Sequence, residues 1–105
     1  MVNPWRGEVE VVLNDQSFPA RLTLGALAEL ETELGAKSMI ELIERFETGQ
    51  FSSHDVIAVI VAGLRGGGWE GERSNLLNSE LRGGPMEAAK LAATLLARAF
   101  RLEGA

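Results

Sequence analysis

The hydrophobic period of this chain changes at Thr23, and that change limits the folds open to it. Before Thr23, apolar residues recur at every second position. In GEVEVVL, Val9, Val11 and Leu13 alternate with Glu8, Glu10 and Val12, the spacing that turns one face of a strand toward a core. Asn14, Asp15 and Gln16 supply a turn signal. In SFPARLTL, Phe18, Ala20, Leu22 and Leu24 alternate again. These features predict a β-hairpin over about 7–23. Pro19 cannot donate to a ladder, so the second strand should have an unpaired side there. A lone hairpin is marginal in water and must pack on something else. Its edges are expected to stay open to a partner strand.

From Thr23 onward the period is helical. Thr23 is a candidate N-cap for a helix over 24–34, with Leu27, Leu30 and Leu34 on one face and Gly35 as its stop. Ser38 and Glu41 have capping-box spacing. Behind them Met39, Leu42, Ile43 and Phe46 fall at i, i+3, i+4 and i+7, and Gly49 closes a helix over 38–48. The segment Val56–Leu64 reads two ways. Its β-branched content favours a strand. Its length, with a cap at Ser52 or Ser53 and Asp55 in the first turn, favours a helix over 53–65. The helix is the reading adopted, and being apolar on nearly every side it should be the buried central element. A short helix over 74–81 and a long one over 85–102, opened by Pro85, complete the set. The fold class is therefore α+β, a hairpin packed against four to five helices, with residues 1–105 forming a single domain.

Several function classes lose support at this level. The chain has net charge -5, and an acidic domain repels phosphate backbones, so no nucleic-acid partner is expected. It has no cysteine, which removes disulfides, thiol catalysis and cysteine-ligated zinc. The start MVNPWRGEVE lacks a basic region followed by an apolar core, and Val56–Leu64 is too short to span a bilayer. No membrane association is expected, and the cytoplasm is the expected setting.

The run GLRGGGWEGE at 63–72 looks at first like a phosphate loop. A Walker loop, however, needs a lysine and a hydroxyl in register, and a dinucleotide fingerprint needs a strand before it and a helix after it. Neither is present, and Glu70 and Glu72 stand where an anion would sit. The run reads instead as a helix C-terminus followed by a mobile loop that presents Trp69. His54 is the sole histidine. With no second ligand and no serine at a recognisable motif, it reads as solvated surface rather than a catalytic base. Glu29, Glu31 and Glu33 alternate along a helix and so do not converge as metal ligands would. No enzymatic activity, cofactor or metal is expected.

The partner-binding candidates lie elsewhere. Trp5 and Trp69 each read most simply as covers for the core, with Trp69 the better anchor for a partner. In the last helix, Glu87, Lys90, Thr94, Arg98 and Arg101 form one narrow polar stripe. The remaining apolar arc is wider than one contact face requires. Leu91, Leu95, Arg98 and Phe100 join Trp69 as candidate partner-binding residues. Charge is also divided. Residues 1–80 carry six basic and thirteen acidic side chains, net -7, and residues 81–105 four basic and two acidic, net +2. That polarity could support head-to-tail self-association.

Four segments together resemble a known family: NPWRGE at 3–8, RLTLGALAELE at 21–31, LIERF at 42–46 and AGLRGGG at 62–68. The chain is similar to the small tail protein of gene transfer agents, the phage-like particles of alphaproteobacteria. The likeness is densest over 3–68 and weaker over 69–84. Members of that family are described either as tail assembly chaperones or as tail tube proteins. The resemblance implies a non-catalytic tail protein. Its first implication is a chaperone that holds the helical tape-measure protein before the tube polymerises; the alternative is a structural subunit of the tube. Tube proteins generally close a ring through sizeable sheets, and only two strands are evident here, so a strand at Val56–Leu64 would favour the tube.

Overall fold

A computed structural model describes residues 7–104, with side chains described from Gly7 to Phe100. Trp5, most of the NPWRGE segment, and the side chains of Arg101 and Leu102 lie outside the described residues. The elements run β1 (Val9–Leu13), β2 (Gln16–Ala20), α1 (Leu24–Glu33), α2 (Met39–Glu47), α3 (Ser53–Gly66), α4 (Arg73–Leu77) and α5 (Gly84–Gly104). The architecture is α+β, an antiparallel hairpin followed by five helices.

The hairpin pairs Val9 with Ala20 and Leu13 with Gln16. Asn14 and Asp15 take φ of 50° and 64°, the left-handed pair that a tight two-residue turn demands and that Asn and Asp tolerate best. Val9, Val11 and Leu13 are buried as their alternation requires, and Ala20 joins them from the opposite strand. The alternation read through Leu24 stops sooner. β2 ends at Ala20, and Leu24, the first residue of α1, is 72% exposed.

The helix boundaries follow their caps. Thr23 Oγ1 accepts the Ala26 amide at 3.1 Å, and Leu27, Leu30 and Leu34 are buried. Ser38 Oγ accepts the Glu41 amide at 3.2 Å. The Glu41 carboxylate, however, reaches one residue further back, to the Lys37 amide at 2.8 Å, so the expected box closes around a longer loop. Val56–Leu64 is helical. Ser52 and Asp55 cap α3 reciprocally, Asp55 N to Ser52 Oγ at 3.1 Å and Ser52 N to Asp55 Oδ2 at 2.9 Å. This arrangement satisfies two otherwise orphaned amides.

α3 is the centre of the fold. It packs against α1, α4, α5 and β2, and Val59, Ile60 and Leu64 are sealed from solvent. Leu42 closes the core from α2, and Leu95 and Leu96 from α5.

The expected helix over 74–81 is shorter, ending at Leu77. Asn78 Nδ2 donates to the Ser74 carbonyl at 3.0 Å and Ser79 Oγ to the Asn75 carbonyl at 2.6 Å. These side chains compete for the last carbonyls and stop the helix. The chain then turns onto the outer edge of β1. Leu81 bridges Leu13, the Asn14 amide donates to the Glu80 carbonyl at 2.9 Å, and the Arg82 amide donates to Val12 at 3.0 Å.

The β2 edge is closed by different means. The Arg21 amide donates to the Gly63 carbonyl at 2.9 Å. Pro19 has no amide to offer, and its carbonyl lies against Gly67, where an added Cβ would sit 2.1 Å from the oxygen. A Cβ on Gly66 would lie 2.1 Å from the Arg21 carbonyl oxygen. The expectation of open hairpin edges is therefore corrected in part. Residues 80–82 cover one edge at Val12 and Asn14, and the C-terminal end of α3 covers the other at Pro19 and Arg21.

Candidate functional site

The five candidate partner-binding residues do not form one surface. Leu91 and Leu95 are 8% and 0% exposed, so in this fold they are core residues closed to a partner. Leu95 lies where a Cβ on Gly63 would reach its methyl group, which accounts for glycine at that point in α3. The Arg98 guanidinium donates to the Glu8 carbonyl and ties α5 to the start of β1. Phe100 is half-buried.

Trp69 does not stand out from a loop. Its amide donates to the Leu64 carbonyl at 2.9 Å, and the indole is half-buried against the core. A Cβ on Gly71 would fall 2.2 Å from the ring, so Gly71 is the space that lets the loop fold across it. The tryptophan helps to wall a cleft of about 300 Å³ with Leu13, Phe18 and Asn75. Trp69 is thus a cover over the hairpin, the simpler of its two readings.

The surface that the candidate list lacks is an apolar groove of about 650 Å³. α3 forms its floor through Val56, Ile57 and Ile60, and α4 gives Leu76 and Leu77. The bend into α5 and its first turns supply Leu81, Pro85, Ala88 and Ala89. Leu77 is 56% exposed, and Met86, next to Pro85, is 78% exposed. Glu80 is the one ionisable residue in the lining. The available sequence signals were the second leucine of the Leu76–Leu77 pair, which a one-turn helix cannot bury along with the first, and the small Ala88–Ala89 pair on α5.

Beside the groove, charged side chains join three helices. Asp55 is buried, and Arg45 reaches it at 3.5 Å, Glu41 at 3.4 Å and the Leu34 carbonyl at 3.1 Å. One guanidinium, from the last turn of α2, thus holds the end of α1, the first turn of α2 and the start of α3. Its planar fork suits several oxygens at once. The Lys37 amide hydrogen bond to Glu41 holds that carboxyl below its ordinary pKa of 4.5 against an opposing desolvation effect, and Arg45 adds to the lowering.

His54 is exposed, and its Nδ1 accepts from Arg73 Nη2 at 2.8 Å. Arg73 also meets Glu33 at 3.4 Å. This chain of contacts pins α4 to α1 and α3, and no nucleophile belongs to it. Among the described residues no group of three or more His, Asp or Glu side chains is placed to hold a metal, and no helix is long and apolar enough to cross a membrane.

Residues 6–102 match the family described as "phage tail tube protein, GTA-gp10". The match spans nearly the whole sequence, and the chain belongs to this family of phage-like tail proteins, which gives it a place in the tail of a phage-like particle. The description names a tube protein rather than a chaperone, and so favours the alternative of the two readings drawn from the resemblance. Searches of curated proteins and of solved structures gave no significant match.

Proposed function

We propose that the chain is a non-catalytic structural subunit of the tail tube. The observation that carries this reading is the family match across 6–102 with its tube description. The fold bears on how such a subunit would make its contacts. With the outer edges of the hairpin occupied at Val12, Asn14, Pro19 and Arg21, subunits would join through helix faces and loops, because no continuous strand edge is free to template another. The helical state of Val56–Leu64 withholds the extra strand that would have favoured a sheet-built ring. The experiment is particle composition. A tube subunit is present in many copies in purified particles, and antibody against it decorates the tail along its length. Absence from mature particles would reject this reading.

A second reading, that of an assembly chaperone, has one specific feature in its favour. The groove beside α3 is apolar, open and lined by helices, a shape suited to the apolar face of an amphipathic segment. On this reading the protein acts in the bacterial cytoplasm, captures the tape-measure protein in a pull-down and is missing from finished particles. Capture of tube components without the tape measure would reject it.

A further inference from the structure

We propose that α2 is a detachable cover, a helix that opens as a unit between Gly35 and Gly49 while the rest of the fold stays in place, with Arg45 as its latch. Such opening is a property of the single chain and is independent of the tube reading.

The helices are unequally anchored. α3 has seven buried residues and α1 three, and α5 sends Leu91, Ala92, Leu95 and Leu96 into the core. α2 sends one, Leu42. Met39, Ile43 and Phe46 lie against the core only partly buried, and Ile40 is 61% exposed. An element with few buried apolar contacts opens at a lower free energy than the centre of its fold.

The polar ties are equally few. Among the described residues, the side-chain hydrogen bonds from α2 to the rest of the fold all come from Arg45. Its guanidinium donates to the Leu34 carbonyl at 3.1 Å and to Asp55 Oδ1 at 3.5 Å. Glu41 bonds only within its own segment, to the Lys37 amide and to Arg45. Arg45 is 23% exposed, so water can compete for the latch.

The ends of the segment can turn. Gly35 and Gly49 take φ of 64° and 75°, and nothing lies within 4 Å of the place a Cβ would occupy on either. Glycine moves most freely in that region of backbone space, and a hinge needs only a few loop positions that absorb a change of φ and ψ. Opening breaks the Arg45 bonds, the burial of Leu42 and the stack of Phe46 on Phe51, whose ring centroids are 4.9 Å apart. It spares the seams of α3 with β2 and α5. α2 packs on α1 and α5, so opening bares the surface of those helices beneath it. Part of the wide apolar arc of α5 thereby becomes accessible without unfolding α3.

The test is native-state hydrogen exchange of the full chain, read by nuclear magnetic resonance at urea concentrations below the unfolding transition. Amides of residues 43–47 should exchange together, with protection roughly tenfold or more below that of residues 60–64. Their exchange should also depend less on urea, because a partial opening exposes less surface than unfolding. Arg45→Gln should speed exchange in α2 roughly tenfold, as expected for losing hydrogen bonds from a charged donor. Gly66→Ala places a Cβ against the Arg21 carbonyl at the seam of α3 with β2. It should alter exchange in α3 and leave α2 unchanged, because that seam stays closed when α2 opens. Equal protection and equal urea dependence in α2 and α3 would overturn the proposal. So would residue-by-residue fraying of α2, no response to Arg45→Gln, or a Gly66→Ala effect shared by both helices.

Discussion

Gly66→Ala inverts an ordinary rule. Alanine in place of glycine inside a helix stabilises by about 1 kcal/mol, and Gly66 is the last residue of α3. Here, however, the added Cβ would stand 2.1 Å from the Arg21 carbonyl oxygen and 3.2 Å from its carbon. An ordinary carbon–oxygen contact is about 3.3 Å, so α3 and the end of β2 would have to part by roughly 1 Å. The same seam holds two hydrogen bonds, Arg21 N to Gly63 O at 2.9 Å and Arg21 Nε to Gly66 O at 3.3 Å. Overpacking costs about 1–3 kcal/mol and a weakened hydrogen bond about 1 kcal/mol, against about 1 kcal/mol of helix gain. The expected net loss is about 2 kcal/mol, or a fall in Tm of roughly 8–16 °C for a domain of this size. Gly25→Ala is the control. It is helical and exposed, with its nearest neighbour at 3.9 Å, and it should raise stability by up to about 1 kcal/mol. Thermal melting followed by circular dichroism measures both. A Gly66→Ala protein melting at or above the parent would refute the argument that this glycine is present for close approach.

Three further expectations follow from the packing and charge. Leu95→Ala removes a fully buried side chain and should cost about 2–5 kcal/mol in urea unfolding; a change in partner binding with no loss of stability would contradict its place in the core. Arg45→Ala removes the ion pair of the buried Asp55 carboxylate, which keeps the Ser52 amide, and the side-chain donor to the Leu34 carbonyl; because Arg45 is itself 23% exposed, the cost should be moderate, about 1–2 kcal/mol by the same assay. The native pKa of Glu41 lies below its ordinary value of 4.5, so its contribution is fully present above that value and disappears as pH falls through the lowered one. Glu41→Gln should therefore flatten the part of the acid-unfolding curve that lies below pH 4.5, and an unchanged acid slope would contradict the hydrogen bond to the Lys37 amide.

What was legible in the sequence is what a single element decides for itself. Val9, Val11 and Leu13 show their inward face by alternation, and Asn14–Asp15 show their turn through tolerance of positive φ. Thr23, Ser38 and Ser52 mark helix starts because a short side-chain oxygen is the nearest acceptor for an orphaned amide. The reading weakens where two distant segments must meet. Nothing in SELRG announces that Leu81 will lie against Leu13, because that pairing depends on where α4 ends and how α5 returns. The arc of α5 shows the same limit. A helical wheel reports that it is wide, but only the positions of α2, α3 and β1 decide that Leu91 and Leu95 are inside while Ala88 and Ala89 border a groove. Trp69 looked like a projecting anchor because glycines flank it. Gly71 turned out to be the space its ring requires, and that function is invisible without the ring's position.

The glycine run at 66–68 joins these observations. A helix stop needs one residue in the left-handed region, and Gly68, at φ 105°, fills that role. Gly66 and Gly67 take no positive φ, so the stop does not account for them. Their lack of a Cβ lets α3 press directly on the Pro19 and Arg21 carbonyls. Pro19 has already removed a donor from that edge, so the strand is left with neither an amide nor an approachable carbonyl at its end. With residues 80–82, in the loop before α5, on the other side, each edge of the hairpin is interrupted. Among the described residues, the helices then offer a tail protein's neighbours a broader surface than the sheet does. One feature of that surface is the apolar groove over Val56, Ile57 and Ile60; Gly63, seven residues after Val56 and three after Ile60, continues that side of α3 to its contact with Leu95. One helix therefore seals the sheet and floors the candidate contact surface. A substitution that loosens the seam, such as Gly66→Ala, should consequently disturb the groove as well as the hairpin.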